Sequence, residues 1–240
     1  MKVAPKLIFL FRDDDGFAST ISNALQPSPN SSIQRFEETF ELSLERYGIK
    51  DHNASGDAIH FVDGNGQYEV TILLLKKYDP PVLVCALNEV LASIKDEKSS
   101  VSPTIVLPIV VPSSNLKVEK RSTPANHVSV YGLQVGVDTE TIRAVIGKTE
   151  NPPPSLQVHH EHLACFLHLV RALKFPSCVL IGQSGQNMSS NNLKEEIEMI
   201  CQMGEVLTSI SQLSFLREKV TWNPTKTSKE TKEAWRALYG

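Results

Sequence analysis

The stretch Tyr68 to Ile94, YEVTILLLKKYDPPVLVCALNEVLASI, limits what this chain can fold into more than any other. Val70, Ile72 and Leu74 alternate with Thr71 and Leu73, the period of a strand. Lys76 to Pro81 interrupts that rhythm, and because Pro80 and Pro81 cannot donate to a sheet ladder, the spacing predicts a turn there. Val82 to Cys85 is short and wholly apolar, which predicts a second strand covered on both faces. Asn88 then reads as the N-cap of a helix carrying Val90, Leu91 and Ile94. Strand, turn, buried strand and helix together predict the centre of an α/β sheet.

The flanking segments extend this reading. Leu7 to Phe11 predicts a first strand, closed by the turn chemistry of Asp13-Asp14-Asp15-Gly16, with a short helix over Ala18 to Leu25. Ile33, Phe36, Phe40, Leu44 and Tyr47 recur on one helical stripe after Ser32, and Gly48 follows, so an amphipathic helix is predicted between them. Ala58 to Val62 and the strand from Tyr68 flank Asp63-Gly64-Asn65-Gly66, a strong hairpin signal. Thr104 to Val111 predicts a buried strand, with Pro108 implying an edge or a bulge. Ser113 to Asn126 is polar and predicts a mobile loop, and Val128 to Val137 alternates as a strand. Asp138 is the expected cap of a short helix through Val145. Leu156 to Leu173 predicts a second main helix, ended by Pro176; Ser177 to Gly182 predicts a last buried strand and Leu193 to Leu213 a long helix. The expected division is a single α/β domain over residues 1–222 and a flexible C-terminal tail over 223–240.

Length and charge narrow the function. A chain of 240 residues can bury a large core, and a formal net charge of −3 disfavours general nucleic-acid or anionic-membrane binding. The apolar run Leu7 to Phe11 is too short for a signal peptide or a membrane span. Cys85, Cys165, Cys178 and Cys201 all lie in apolar runs without a C-x-x-C pair, the pattern of reduced thiols in a cytoplasmic or nuclear protein.

Three groupings carry possible chemistry. The first strand ending in Asp13-Asp14-Asp15-Gly16 is similar to the Asp-x-Asp-Gly of haloacid-dehalogenase-like phosphatases, in which Asp13 and Asp15 would be nucleophile and acid/base. Phe17 and the lack of a later aspartate pair argue for a plain turn. Gly182-Gln183-Ser184-Gly185-Gln186 is one glycine short of a nucleophile elbow, and no histidine follows Ser184 to complete the usual order. His159, His160, His162 and His168 lie close together with Glu161, but without H-E-x-x-H they read as the polar face of a helix rather than a zinc site. No catalytic residue, metal ligand or cofactor is therefore assigned. The ending Leu238-Tyr239-Gly240 is different: an apolar residue, an aromatic anchor and a free carboxylate suit capture in a partner's pocket, after a polar segment that would let it reach one.

Glu69 to Tyr78 with Val82 to Cys85 and Asn88, the segment Leu156 to Gly182, and the ending Leu238-Tyr239-Gly240 together resemble the proteasome assembly chaperone 1 family, with Asp79 interrupting that family's Tyr-Pro turn. The ending matches the hydrophobic-Tyr-any (HbYX) tail that such chaperones and proteasome activators insert between α-subunits. The resemblance implies a phosphorylase-like α/β sandwich, a central mixed sheet flanked by helices, without enzymatic activity. It implies a heterodimer with a proteasome assembly chaperone 2-like partner that promotes assembly of the α-ring of the 20S core particle. Leu238, Tyr239 and Gly240 would then be the contact to the proteasome α-subunits. The competing reading is a hydrolase or phosphatase of α/β fold using Ser184 or Asp13 and Asp15.

Overall fold

The computed structural model describes residues 1–95, 102–117, 130–184, 190–210 and 212–222. In chain order the elements are β1 (Lys6–Phe11), α1 (Phe17–Ala24), β2 (Leu25–Pro27), β3 (Gln34–Ser43), β4 (Asn53–Val62), β5 (Tyr68–Leu75), α2 (Val82–Ile94), β6 (Thr104–Pro112), β7 (Leu116–Lys117) and β8 (Val130–Val135). They continue with α3 (Glu140–Ile146), β9 (Gln157–Val158), α4 (Glu161–Leu173), β10 (Ser177–Ser184), α5 (Ser190–Thr208) and β11 (Leu213–Phe215). Seven strands form one mixed sheet in the order β3-β4-β5-β1-β6-β10-β8. The four strands β5, β1, β6 and β10 run parallel, while β4, β3 and β8 are antiparallel to their neighbours. The fold is α/β, as expected.

Side-chain alternation along β1 shows how the layers form. Ile8 and Leu10 point into a core shared with Phe17 and Ile21 of α1, Ile142 of α3, and Met199 and Met203 of α5. Leu7 and Phe9 point into the opposite core, with Ala86, Leu87 and Val90 of α2 and Leu163, Phe166 and Val170 of α4. Helices therefore cover both faces, and each fully buried leucine, isoleucine or phenylalanine contributes about 1.5–3 kcal/mol.

Two expected elements change type. Val82 to Cys85 is the first turn of α2, not a strand. Leu83, Ala86, Leu87, Val90, Leu91 and Ile94 are buried at continuous helical spacing from the turn onward, and a four-residue apolar run cannot by itself separate strand from buried helix. Asn88 consequently lies inside α2, where its side-chain amide donates to the Tyr47 hydroxyl at 2.7 Å. The predicted helix after Ser32 is the edge strand β3, paired with β4 from Gln34↔Val62 to Ser43↔Asn53. Ile33 and Leu44 are buried just outside its two ends, and Gly48, with φ 77°, closes a short 3-10 turn over Glu45–Tyr47. Ten-residue pairing to β4 outweighs the helical recurrence of Ile33, Phe36, Phe40, Leu44 and Tyr47.

Smaller corrections follow the same logic. β6 is an interior strand, yet Pro108 is accommodated. Thr104 donates to Pro5 O and Ile105 to Pro176 O, so even-numbered amides of β6 face β1. The ladder to β1 ends at Ile8↔Val106, just before the missing N–H of Pro108 would be needed. Thr139, not Asp138, caps α3 through its hydroxyl. α4 starts at Glu161, because Gln157 and Val158 pair with Lys117 and Leu116. α5 ends at Thr208, and Leu213 pairs with Pro27 in a small second sheet. The turn of Ser113 to Asn126 is described only to Lys117, and the expected tail 223–240 lies outside the described residues.

Gly56 marks a close approach of backbones. A Cβ there would sit 2.1 Å from the Leu74 carbonyl oxygen, a clash with main chain that no rotamer can relieve. Gly56→Ala is expected to lower stability by about 1–3 kcal/mol, read as a fall in the midpoint of urea unfolding.

Candidate functional site

The carboxyl ends of the parallel strands, where α/β folds commonly present their functional groups, gather most of the residues that the sequence singles out. Asp13 follows β1, Lys77 follows β5, Ser184 ends β10, and His160 and His162 stand at the start of α4. The Phe11 ring meets His162 edge to face at 5.2 Å, and the two imidazoles of His160 and His162 are 5.7 Å apart. The three-aspartate turn and the histidine group are thereby brought to one end of the sheet.

Local bonding assigns these groups structural roles. The Asp13 carboxylate accepts from Phe17 N and Ala18 N, both at 2.9 Å, so it holds the first turn of α1. Gly16 reaches φ 81° to let the chain enter that helix. Asp14 pairs with Lys77, whose pKa is raised chiefly by that hydrogen bond. His160 Nδ1 accepts from Leu163 N at 3.3 Å and caps α4. Burial, reinforced by His162, pushes the His160 pKa down to about 4. His162 is also held below the usual imidazole range, first by burial, with Lys77 acting in the same direction. The Ser184 carbonyl accepts from the Ser113 hydroxyl, which in turn accepts from Gln183 Nε2 at 3.1 Å. Gly185 and Gln186 lie outside the described residues. Among the described residues no group of three or more His, Cys, Asp or Glu side chains is placed to hold a metal ion. No helix there is long and apolar enough to cross a membrane.

Two further polar groupings were not apparent from motifs. Arg12, Asp13, Ser19, Arg35, Glu37 and Asp57 line a cleft of about 290 Å3 between α1 and the β3–β4 hairpin. Arg12 pairs with Asp57, while Arg35 pairs with Glu37 and donates to Ser22 O and Leu25 O at the end of α1. On the other face of the hairpin, His60 is buried. Thr71 Oγ1 accepts from Ala4 N at 2.9 Å and hydrogen-bonds His60 Nδ1 at 3.0 Å, and His60 Nε2 lies 3.1 Å from a Glu38 carboxylate oxygen, which completes a polar relay. The hairpin signal at Asp63–Gly66 is the one clue that would have found this relay, since it brings His60 opposite Thr71.

Leu238, Tyr239 and Gly240 lie outside the described residues. The chain is described to Trp222, whose indole donates to Glu196 at 2.8 Å while Thr20 bonds to Thr221 O. Trp222 thus lies on the α1–α5 side of the sheet.

Two tests address the caps. Asp13→Ala should cost about 1–2 kcal/mol of stability, and Asp13→Asn much less because asparagine also caps; chemical denaturation measures both. His160 is neutral in the fold and has a pKa lowered from 6.5 to about 4. Unfolded chains therefore bind the extra proton first, so stability should be full above about pH 6.5 and fall as pH drops toward 4. His160→Asn, which keeps a cap without that titration, should flatten this slope in the melting temperature.

Comparison with known proteins adds the following. No curated protein matches the sequence. A Mycobacterium tuberculosis protein of unknown function, Rv2714, superposes with a TM-score of 0.52 at 9% identity over 89% of this chain and 72% of that one. The archaeal proteasome activator PbaB of Pyrococcus furiosus gives 0.48 at 11% identity, over 100% and 96% of the two chains. The 5'-methylthioadenosine nucleosidase of Arabidopsis thaliana gives 0.45 at 11% identity, over 87% and 95%. The overlay on the mycobacterial protein shows a shared fold and says nothing of activity. The model of the family described as Domain of unknown function (DUF7894) matches residues 1–240, and the chain belongs to that family.

Proposed function

We propose that the protein is a non-enzymatic chaperone that pairs with a proteasome assembly chaperone 2-like partner and promotes assembly of the α-ring of the 20S core particle. The observation that carries this reading is in the sequence: the ending Leu238-Tyr239-Gly240 beside internal segments resembling the proteasome assembly chaperone 1 family. The structure is compatible in a specific way. Asp13 and His160, two groups a hydrolase would recruit, are engaged in capping α1 and α4. The four cysteines are free thiols, in keeping with a reducing compartment such as the cytoplasm or nucleus.

In this reading the Tyr239 ring fills an apolar slot between α-subunits, and a carboxylate beyond it pairs with a lysine. A buried aromatic anchor of this kind costs at least about 2 kcal/mol on truncation. Tyr239→Ala should therefore weaken binding to purified α-subunits by about tens-fold, with the melting temperature and pairing with the partner chaperone unchanged. Residues appended after Gly240 should do similar harm, and Gly240→Ala little. If Tyr239→Ala lowers the melting temperature and leaves α-subunit binding intact, the segment packs on its own domain and the proposal fails. Turnover of a generic ester or phosphate substrate that disappears in Ser184→Ala or Asp13→Asn would instead favour the hydrolase or phosphatase.

A further inference from the structure

We propose that the outer edge of β3 is a docking site for an extended segment of a partner protein in which basic and apolar side chains alternate. Among the described residues β3 terminates the seven-stranded order and pairs with β4 alone. All ten of its residues stay in register with β4, and the one irregularity of the hairpin lies on the β4–β5 side, between Phe61 and Val62. A strand of this length offers roughly 33 Å of edge, with alternate amides and carbonyls facing away from β4. Of the devices that commonly protect such an edge, β3 has no proline, lysine or bulge, and its protection is the charge of Glu37, Glu38 and Glu41 and the inward-turned Arg35.

Side chains define what the edge would accept. Glu37, Thr39 and Glu41 form an exposed row on the α1 side. On the α2 side Phe36 is 51% exposed, Phe40 is buried and Leu42 partly so. Arg35 is turned inward to the end of α1, and Glu38 reaches back to His60. Three glutamates against one arginine give the strand a formal charge of −2. A strand laid beside β3 would meet carboxylates on one face and an aromatic and aliphatic row on the other, so lysine or arginine alternating with valine or leucine complements it. A second copy would bring the same formal charge of −2 to the edge, and two-fold antiparallel registers centred on Glu38 or Thr39 set Glu38 against Glu38 or Glu37 against Glu41, opposed like charges that destabilise a pair. This surface is independent of Leu238-Tyr239-Gly240 and of the chaperone reading.

The probe is an acetylated, amidated peptide of five Lys-Val repeats, titrated by fluorescence anisotropy into the full chain and followed by amide hydrogen exchange. Binding is expected to slow exchange in Gln34–Ser43 selectively. Glu37→Lys with Glu41→Lys should weaken it at least about tenfold. Phe36→Ala, which alters no charge, should weaken it less. The same peptide with N-methylated valines keeps its charge but loses strand hydrogen bonds, and should not bind. Equal binding of the methylated peptide would reduce the effect to charge alone and overturn the proposal. Absence of β3 protection would do so too. So would a concentration-dependent dimer with β3 already protected, since a second copy would then occupy the edge.

Discussion

The parallel pairing of β1 between β5 and β6 is the constraint on which the rest of the molecule depends. An interior parallel strand has both faces covered, so it must be apolar on both, and β1 supplies Ile8 and Leu10 to one core and Leu7 and Phe9 to the other. Crossing from β5 to β6 through α2 covers one face of this strand, and α1, which follows it, packs on the other. Its carboxyl end then delivers Arg12 and Asp13 to the rim of the sheet, beside the amino ends of α1 and α4. The end of the β1–β6 ladder before Pro108 shows the same economy, because a proline stands where no hydrogen bond to β1 remains to be made.

At that rim, polar groups are organised by the ends of helices. The amino terminus of an α-helix leaves N–H groups without intrahelical partners, and Asp13 and His160 satisfy them at α1 and α4. Such roles shape protonation as well. A capping imidazole that must accept a hydrogen bond in a desolvated place stays neutral, and His160 is accordingly depressed to about 4. Burial acts in the opposite sense on thiols, raising Cys178 to about 12 and leaving it a small apolar side chain in the sheet. The outer edge of β3 differs in kind, since its glutamates and Phe36 are exposed along a row of backbone groups.

Legibility in the sequence followed the range of the forces involved. β1, α1 and the hairpin between β4 and β5 were readable because each is specified within about ten residues by apolar runs, caps or turn glycines. β10 was readable from its continuous apolar run before α5. Of the four histidines read as a helix face, His162 and His168 lie on α4, whereas His159 precedes it and His160 is its N-cap, because α4 begins only at Glu161. The hairpin signal sets His60 opposite Thr71, but Glu38 reaches them from a third strand whose sequence read as helix.

The sequence by itself determined an α/β chain with a buried sheet and a tight hairpin at Asp63–Gly66. Tertiary structure decided the two segments whose local signals were ambiguous. Val82 to Cys85 became helix because Leu83, Ala86, Leu87 and Val90 could face the sheet together only at helical spacing. Gln34 to Ser43 became strand because β4 offered a full ladder of partners. Local periodicity is a preference of a few tenths of a kcal/mol per residue, and long-range backbone pairing and burial outweigh it wherever the two disagree.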